Sequence, residues 1–149
     1  MPNYAVAGNA AAGTNLPIFN LTGSASVRLG LFFIVVGSSA TPADVATRLQ
    51  IIRTTDVGVG GTALTEEKLD PLSATPIGAA IQGTFTTVPT KSGSALLELA
   101  LNQRVTYQWF AVNERAAIIS AAAAANGLEL ESISSGGTPT QNATEHWYE

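Results

Sequence analysis

The side chain in this sequence best suited to proton transfer near neutral pH is its one histidine, His146, which lies between Glu145 and Trp147. A serine-hydrolase site would need this imidazole to be held by a carboxylate while it faces a nucleophile. One histidine in a terminal strand is more typical of a surface or an interface, and the spacing of the acidic residues does not suggest partners for a metal ion. We therefore interpret His146 as a surface or interface residue.

Two pairs of acidic residues have the side chains that glycoside hydrolysis needs. Glu66 with Glu67, and Glu129 with Glu131, could each supply the two carboxylates of such a site. Because side chains alternate across a strand, Glu129 and Glu131 would share one strand face. We interpret that face as a solvated strand edge rather than as a catalytic pair.

Two short motifs resemble parts of known sites. Residues 58–62, GVGGT, are glycine-rich like a phosphate-binding loop, but no Lys-Ser/Thr pair follows and no long helix is expected after them. Residues 91–93, KSG, match one element of the serine β-lactamases without their Ser-x-x-Lys motif. We interpret these segments as a loop and a turn. The sequence therefore predicts no catalytic residue, no metal ligand and no cofactor, and we do not expect an enzyme.

The composition limits the classes of partner. The chain has 149 residues, the usual size of one domain, and 46% of them are hydrophobic. Charged residues make up 12%, against roughly 25% in a typical domain, as expected where much of the surface is covered by neighbouring subunits. The net charge is −4, and the basic residues are scattered singly. Nucleic acids and anionic membranes, which attract clustered Lys and Arg, are therefore not expected as partners.

The expected cellular compartment is inferred from three features that the sequence lacks: cysteine, a signal peptide and a membrane span. It contains no cysteine, which excludes disulfides and thiolate sites. The N-terminus lacks the basic flank and apolar core of a signal peptide. The longest apolar run, Leu29–Val36, is far shorter than the roughly 20 residues of a membrane span. We expect a soluble protein made in a cytoplasm.

The strongest strand pattern runs from Ala25 to Val36. Alternation predicts one face formed by Val27, Leu29, Leu31, Phe33 and Val35. The second half is apolar on its other face too, through Phe32, Ile34 and Val36. This pattern predicts burial on both sides, either inside a sandwich or at a contact between subunits.

A second pattern predicts a hairpin. Residues 95–101 and 105–112 flank Asn102-Gln103-Arg104, where Asn102 suits a tight turn. The predicted buried residues on this hairpin are Leu97, Leu99, Leu101, Val105, Tyr107 and Trp109, whereas Glu98 and Gln108 point outward.

The rest of the chain reads as short strands between turn signals. Further strands are predicted at 16–21, 48–54, 83–88, 116–120, 128–133 and 143–148, and residues 55–78 as a long loop with one helical turn at 65–69. About eight to ten strands with frequent Gly, Pro and Asn favour an all-β fold, a β-sandwich of jelly-roll type.

The first residues are small and uncharged. Residues 1–14, MPNYAVAGNAAAGT, are interpreted either as a frayed end or as an extended N-terminal arm that becomes ordered on a neighbouring subunit, ahead of a single domain at 15–149. The candidate residues for contact with a partner are Pro2, Tyr4, Val6, Phe32, Ile34 and Val36.

An ordered set of segments carries a family resemblance. They are SATPAD (39–44), LDP (69–71), LNQRVTYQW (101–109), AANGL (124–128) and WYE (147–149). In this order and spacing the chain resembles the capsid cement (decoration) proteins of tailed bacteriophages, from about residue 20 to the end. The resemblance implies a jelly-roll homotrimer on the outer capsid surface that joins adjacent capsomers, with no catalytic residues.

The resemblance also implies the partners and the location. The partners are the major capsid protein and further copies of this chain, and the location is the virion, assembled in the host cytoplasm. The alternatives are a phage tail or head-fibre domain and a carbohydrate-binding module or lectin, since jelly rolls often bind sugars. A lectin usually offers exposed aromatic side chains in a groove.

Overall fold

The computed structural model describes residues 1–11, 16–83 and 85–149. Within them the chain forms antiparallel strands and one short 3₁₀ helix at Glu114–Ala116. The all-β prediction is confirmed. The strands are β1 (Asn3–Ala11), β2 (Leu16–Thr22), β3 (Gly30–Ala40), β4 (Ala46–Thr54), β5 (Thr62–Ala63), β6 (Glu67–Lys68), β7 (Ala79–Gln82), β8 (Lys91–Asn102), β9 (Tyr107–Phe110), β10 (Ile118–Ile119), β11 (Gly127–Ser134) and β12 (Thr140–Tyr148).

The strands form two sheets, which pack as a sandwich. Sheet A has the order β10-β3-β12-β1-β6, with β9 also paired to β3, and sheet B has the order β5-β7-β2-β11-β4-β8. The first four strands alternate between the sheets, and β11 in sheet B is followed by β12 in sheet A. The long central strands of both sheets therefore come from both ends of the chain.

The core lies between the sheets because every second side chain of the central strands points inward. On β12 the buried residues are Gln141, Ala143, Glu145 and Trp147. Trp147 is fully buried, and its ring centroid lies 5.7 Å from that of Tyr4 on β1. These inward faces pack against Phe19, Leu21, Ile51, Leu128 and Leu130 of sheet B and other apolar residues.

The predicted N-terminal arm is wrong for the residues that the structure describes. Residues 3–11 form β1, which is paired along its whole length with β12 and at one end with β6. Tyr4 and Val6 are buried at 1% and 2% exposure. The buried side chains of Tyr4 and Val6 are enough to hold this segment on the sheet, because strand pairing satisfies the backbone hydrogen-bonding groups of the small residues beside them. Residues 12–14 of the predicted arm lie outside the described residues.

A β-bulge changes the inward face of β3. Leu31 pairs with Trp147 of β12 and Phe33 pairs with His146, so Phe32 is an extra residue in β3. An extra residue reverses the alternation beyond it. Leu31 is buried before the bulge, and Ile34 and Val36 are buried after it. The prediction that Phe33 and Val35 share the face of Leu31 is therefore wrong, and β3 begins at Gly30 rather than Ala25.

The predicted hairpin is also wrong, although most of its core residues are correct. β8 pairs with β4 in sheet B, whereas β9 pairs with β3 in sheet A. Leu97, Leu99, Leu101, Tyr107 and Trp109 are partly buried against the core, as predicted, but Val105 is 49% exposed. A hairpin within one sheet and two strands in facing sheets both direct alternate residues to the core, so the alternation alone does not distinguish these two arrangements. The intervening Gln103 is buried and accepts a hydrogen bond from the Ala43 N–H.

The long loop contains two short strands rather than a helical turn. Glu67–Lys68 forms β6 on the edge of sheet A, because it pairs with Tyr4 and Ala5 of β1. The predicted strand at 83–88 is reduced, in its described part, to a single bridge between Val59 and Thr87, and residue 84 lies outside the described residues.

Candidate interaction surface

The outer face of sheet A, inside its edge strand β6, is formed by the outward side chains of β1, β3, β9 and β12. β6 places the exposed Glu67 at the rim of this face, beside Ala5. Among the described residues of these four strands, Glu145 is the one Asp, Glu, Lys or Arg, and it is buried in the core. The outward positions carry small, amide, hydroxyl and aromatic side chains instead. A sheet face with no formally charged side chain is unusual for a surface that is permanently exposed to water.

Five aromatic rings lie together on this face, and we refer to them as the aromatic cluster: Phe32, Phe33, Phe110, His146 and Tyr148. Phe33 is paired with Phe110 on one side and with His146 on the other. The ring centroids of Phe33 and His146 are 4.8 Å apart, and those of Phe32 and Tyr148 are 6.3 Å apart and stacked. Phe110 is 65% exposed. The bulge at Phe32 creates this cluster because it turns Phe33 outward.

Gly30 sets the position of the Tyr148 ring. The two residues are cross-strand partners, and a Cβ atom at Gly30 would lie 2.1 Å from Cζ of Tyr148. That distance is far inside van der Waals contact, so any other residue at position 30 would displace the ring. The absence of a side chain at Gly30 therefore lets Tyr148 lie flat over β3, beside Phe32.

Two shallow depressions mark the outer face of sheet A. One has a volume of about 220 Å³ and is lined by Asn3, Phe32, Ala111, Asn113 and Tyr148. The other has a volume of about 280 Å³ and is lined by residues 35–39, Asn142 and Ala143. Both are open to solvent, so side chains of a partner can enter them.

His146 belongs to this face as an aromatic ring. Its imidazole packs between Phe33 and Phe32, at centroid distances of 4.8 Å and 6.0 Å. Burial lowers the pKa of His146, which favours the neutral imidazole at pH 7. The adjacent Glu145 points to the opposite side of β12, into the core. The two neighbours therefore do not form a carboxylate–histidine pair.

The six residues predicted to contact a partner differ in their exposure. Tyr4, Val6, Ile34 and Val36 are buried within the chain's own core, so in this fold their side chains are not available to a partner, and the prediction is wrong for them. Phe32 lies in the aromatic cluster. Pro2 is partly buried, and its carbonyl accepts a hydrogen bond from the Glu149 N–H.

Sequence reasoning missed Phe33, Phe110 and Tyr148 as surface residues. Strict alternation predicts that Phe33 points inward, and the bulge that turns it outward has no strong sequence signal. The detectable signal is the scarcity of charge in three long segments that turn out to be neighbours in one sheet, β1, β3 and β12, where Glu145 is the one charged residue type.

A loop near the N-terminal strand presents a second apolar surface. The apolar loop, residues 69–77, exposes Leu72 at 94% and Ile77 at 60%. It is held in place from several sides: Tyr4 Oη donates to the Ala74 carbonyl, and the Glu149 carboxylate accepts from the N–H groups of Ile77 and Gly78. A loop tied down in this way offers its apolar side chains without a large ordering cost on binding.

The Glu129–Glu131 pair is not the solvated edge that the sequence predicts. β11 is a central strand of sheet B, and both side chains are buried. Lys91 pairs with both carboxylates, with Nζ 3.6 Å from Glu129 Oε1. Burial raises the pKa of Glu129 to about 7, although Lys91 opposes that shift. Carboxylates this deeply buried are out of reach of a substrate, and the cluster stabilises the outer layer of sheet B.

A third buried carboxyl group lies in the core. Glu145 is 1% exposed, and its Oε2 atom has no hydrogen-bond partner. Burial raises its pKa to about 8, so the carboxyl group is mostly protonated at pH 7. Its strand neighbours, Val6 of β1 and Ile34 of β3, are apolar.

The described part of the chain was compared with the side-chain clusters of metal sites and with the helices that span membranes. Within residues 1–11, 16–83 and 85–149, no three His, Asp or Glu side chains converge on a point where a metal ion could be held. In the same ranges no helix has the length and apolar character needed to cross a membrane.

Comparison of the chain with protein-family models, with curated proteins and with solved structures finds no match in any of the three. The function must therefore be inferred from the chemistry of the outer face of sheet A and its aromatic cluster.

Proposed function

We propose that this chain is a structural, non-enzymatic protein that binds other protein subunits, and specifically a capsid cement protein of a tailed bacteriophage. It binds the outer capsid surface as a homotrimer and stabilises the contacts between capsomers. The observation that carries the proposal is the uncharged outer face of sheet A with the aromatic cluster on it.

The chemistry of that face is typical of a protein–protein interface. The core of such an interface is depleted of charged residues and enriched in aromatic ones, whereas the rim is polar. Here the aromatic cluster is flanked by Asn3, Gln108 and Asn142, which are exposed amides able to hydrogen-bond with a partner. A charged fraction of 12% for the whole chain fits the same role.

We propose a jelly-roll topology for the sandwich. A jelly roll is a double sheet in which the chain passes repeatedly from one sheet to the other. The passages β1 to β2, β2 to β3, β3 to β4 and β11 to β12 support this assignment. The fold then acts as a rigid scaffold that fixes the position of the interaction surface.

The mechanism is mass action combined with avidity. A ligand that binds only the assembled capsid stabilises it by an amount that grows with its concentration and affinity. A trimer that contacts several capsomers at once gains further affinity, because each later contact is intramolecular. The protein thereby raises the free energy needed to separate capsomers. The location would be the virion, and the partners would be the major capsid protein and further copies of the chain.

Co-sedimentation with capsids that lack the protein tests this function. Purified chain is mixed with such capsids, and bound protein is measured after pelleting. The proposal predicts saturable binding and a higher temperature of capsid disruption. Protein that stays in the supernatant, at concentrations well above those of the capsid sites, would exclude the cement function.

A second function is favoured by one particular feature, the depression lined by Asn3, Phe32, Asn113 and Tyr148. Aromatic rings beside amide groups are the side chains that stack on and hydrogen-bond to sugars, so a phage tail or head-fibre domain that binds a host-surface glycan is the alternative. Both tryptophans are poorly placed for that role, since Trp147 is buried and Trp109 packs against the core. Calorimetric titration with host-surface polysaccharide distinguishes the two, because a cement protein gives no heat of binding.

A further inference from the structure

We propose that the outer face of sheet A is the surface through which copies of this chain contact one another. The inference rests on the proposed function, to which it adds the location of the contact between protomers. It assigns the aromatic cluster to the middle of that contact.

The outer face of sheet A matches a second copy of itself in charge. A charged partner surface would have to lose its hydration against a face that offers no charged side chain to compensate, which is costly. A second copy of the same face carries no such cost, because the described outward positions of β1, β3, β9 and β12 carry no Asp, Glu, Lys or Arg. The outer face of sheet A is therefore complementary to another copy of itself in charge.

The area of the outer face of sheet A is set by its four strands. β1 and β12 have nine residues each, and β3 has eleven. Together with β9 they cover roughly 20 Å by 30 Å, or about 600 Å², at the usual strand spacing. A specific interface needs about 1,000 Å² counted over both partners. In a trimer each face is shared between two neighbours, so every protomer buries its whole face of about 600 Å² and the three faces together bury about 1,800 Å².

The large aromatic rings form a row across the middle of the outer face of sheet A. Phe33 and His146 lie on β3 and β12, the two central strands of the face, and Phe110 extends the row to the edge strand β9. Aromatic residues near the middle of an interface contribute most of its binding energy. In the proposed trimer this row lies close to the three-fold axis, where equivalent rings from the three copies meet.

Sedimentation velocity of the purified chain, without capsids, tests the inference. The wild-type chain is expected to sediment with three times the single-chain mass of 15.3 kDa. Phe110→Arg and, independently, Gln108→Arg place a charge on the face at exposed positions of β9, and each is expected to give monomers. The matched control is Val59→Arg, because Val59 is 61% exposed but lies outside sheet A, and it is expected to remain trimeric.

Three results would overturn the inference. A wild-type monomer at tens of micromolar, or unchanged association in both β9 variants while circular dichroism shows native strand content, overturns the inference. Loss of glycan binding without a change in mass also overturns it, because the face would then be a sugar site.

Capsid co-sedimentation separates the two proposals. Trimers that need the face but do not bind capsids support the inference and contradict the cement function. If the protein binds capsids but its self-association does not depend on the outer face of sheet A, the result supports the cement function and contradicts the inference.

Discussion

Glu145 is a carboxyl group held among apolar residues between the two sheets. Its pKa is raised from 4.5 to about 8, so the folded chain binds a proton that the unfolded chain releases between these pH values. Stability therefore falls as pH rises from about 4.5 to about 8, by an amount on the order of 4 kcal/mol for this group. A carboxyl group whose pKa is lowered on folding has the opposite effect, because stability is then lost as the pH falls. The lowered pKa of Asp56 acts in this way, at more acidic pH.

Substitution of Glu145 by Gln should flatten this dependence. Glutamine keeps the size of the protonated acid and cannot ionise, so the variant should lose less stability than the wild type between pH 5 and pH 8. Urea unfolding at both pH values measures the difference. Glu98→Gln, at an exposed position on β8, is the control and should keep the wild-type dependence. Equal slopes for Glu145→Gln and the wild type would show that Glu145 does not ionise in this range.

Lys91 is the one cation paired with Glu129 and Glu131 in the described chain. Lys91→Met should cost about 3 kcal/mol at pH 8, because removing one partner leaves buried charge without compensation. The loss should be smaller at pH 5, where Glu129, with its pKa of about 7, is protonated. Arg48→Met is the matched control, since the Arg48–Glu98 pair is about half exposed and should cost under about 1 kcal/mol. A loss that is equal at both pH values would contradict this account.

At the residue scale, the sequence predicts which residues are apolar or charged but not which side of a strand they occupy. The burial of Leu49, Ile51, Leu97 and Leu99 follows from alternation. Alternation fails for Phe33 because of the bulge at Phe32. The burial of Glu129 and Glu131 depends on Lys91, which lies in another strand and far along the chain.

At the scale of elements, β1 is the main departure from prediction. Composition alone favours an arm, because residues 1–14 contain few large apolar side chains. What makes residues 3–11 a strand is their pairing with β12, at the other end of the chain. Contacts between such distant segments cannot be read from local sequence.

Deletion of residues 1–11 should therefore prevent folding, rather than leave an intact sandwich as the arm hypothesis predicts. The deletion removes a strand that pairs along its full length and the buried side chains of Tyr4 and Val6. The stability lost is of the same order as the roughly 5–15 kcal/mol that stabilise a domain. Circular dichroism and thermal unfolding measure the outcome. Ala7→Ser, at an exposed position of β1, is the control and should fold normally. A truncated chain with a cooperative, native-like transition would show that β1 is dispensable.

The arrangement of β8 and β9, the two strands of the predicted hairpin, also depends on contacts that the local sequence does not reveal. The turn at Asn102–Arg104 is correct, but the chain turns from one sheet to the other rather than back onto the same sheet. Gln103 is buried at this turn and donates to the Ser134 side chain and the Gly136 carbonyl. Ser134 is the last residue of β11 and Gly136 lies in the loop after it, so a local pattern around Gln103 does not reveal these partners.

At the scale of the whole molecule, the low charge and the two-sheet fold have one consequence. On the outer face of sheet A the outward positions of β1, β3, β9 and β12 carry no charged side chain, and Glu67 of β6 lies at the rim. The apolar loop exposes Leu72 and Ile77 close to the same sheet's β1. A chain with such surfaces is expected to function in an assembly, where partners cover them.

Quantitative mass spectrometry of purified virions tests the central claim most directly. A cement protein occupies repeated positions of the capsid lattice, so this account predicts a copy number of the same order as that of the major capsid protein. Absence of the chain from virions, or its presence in only a few copies as in a tail or fibre, would contradict the account.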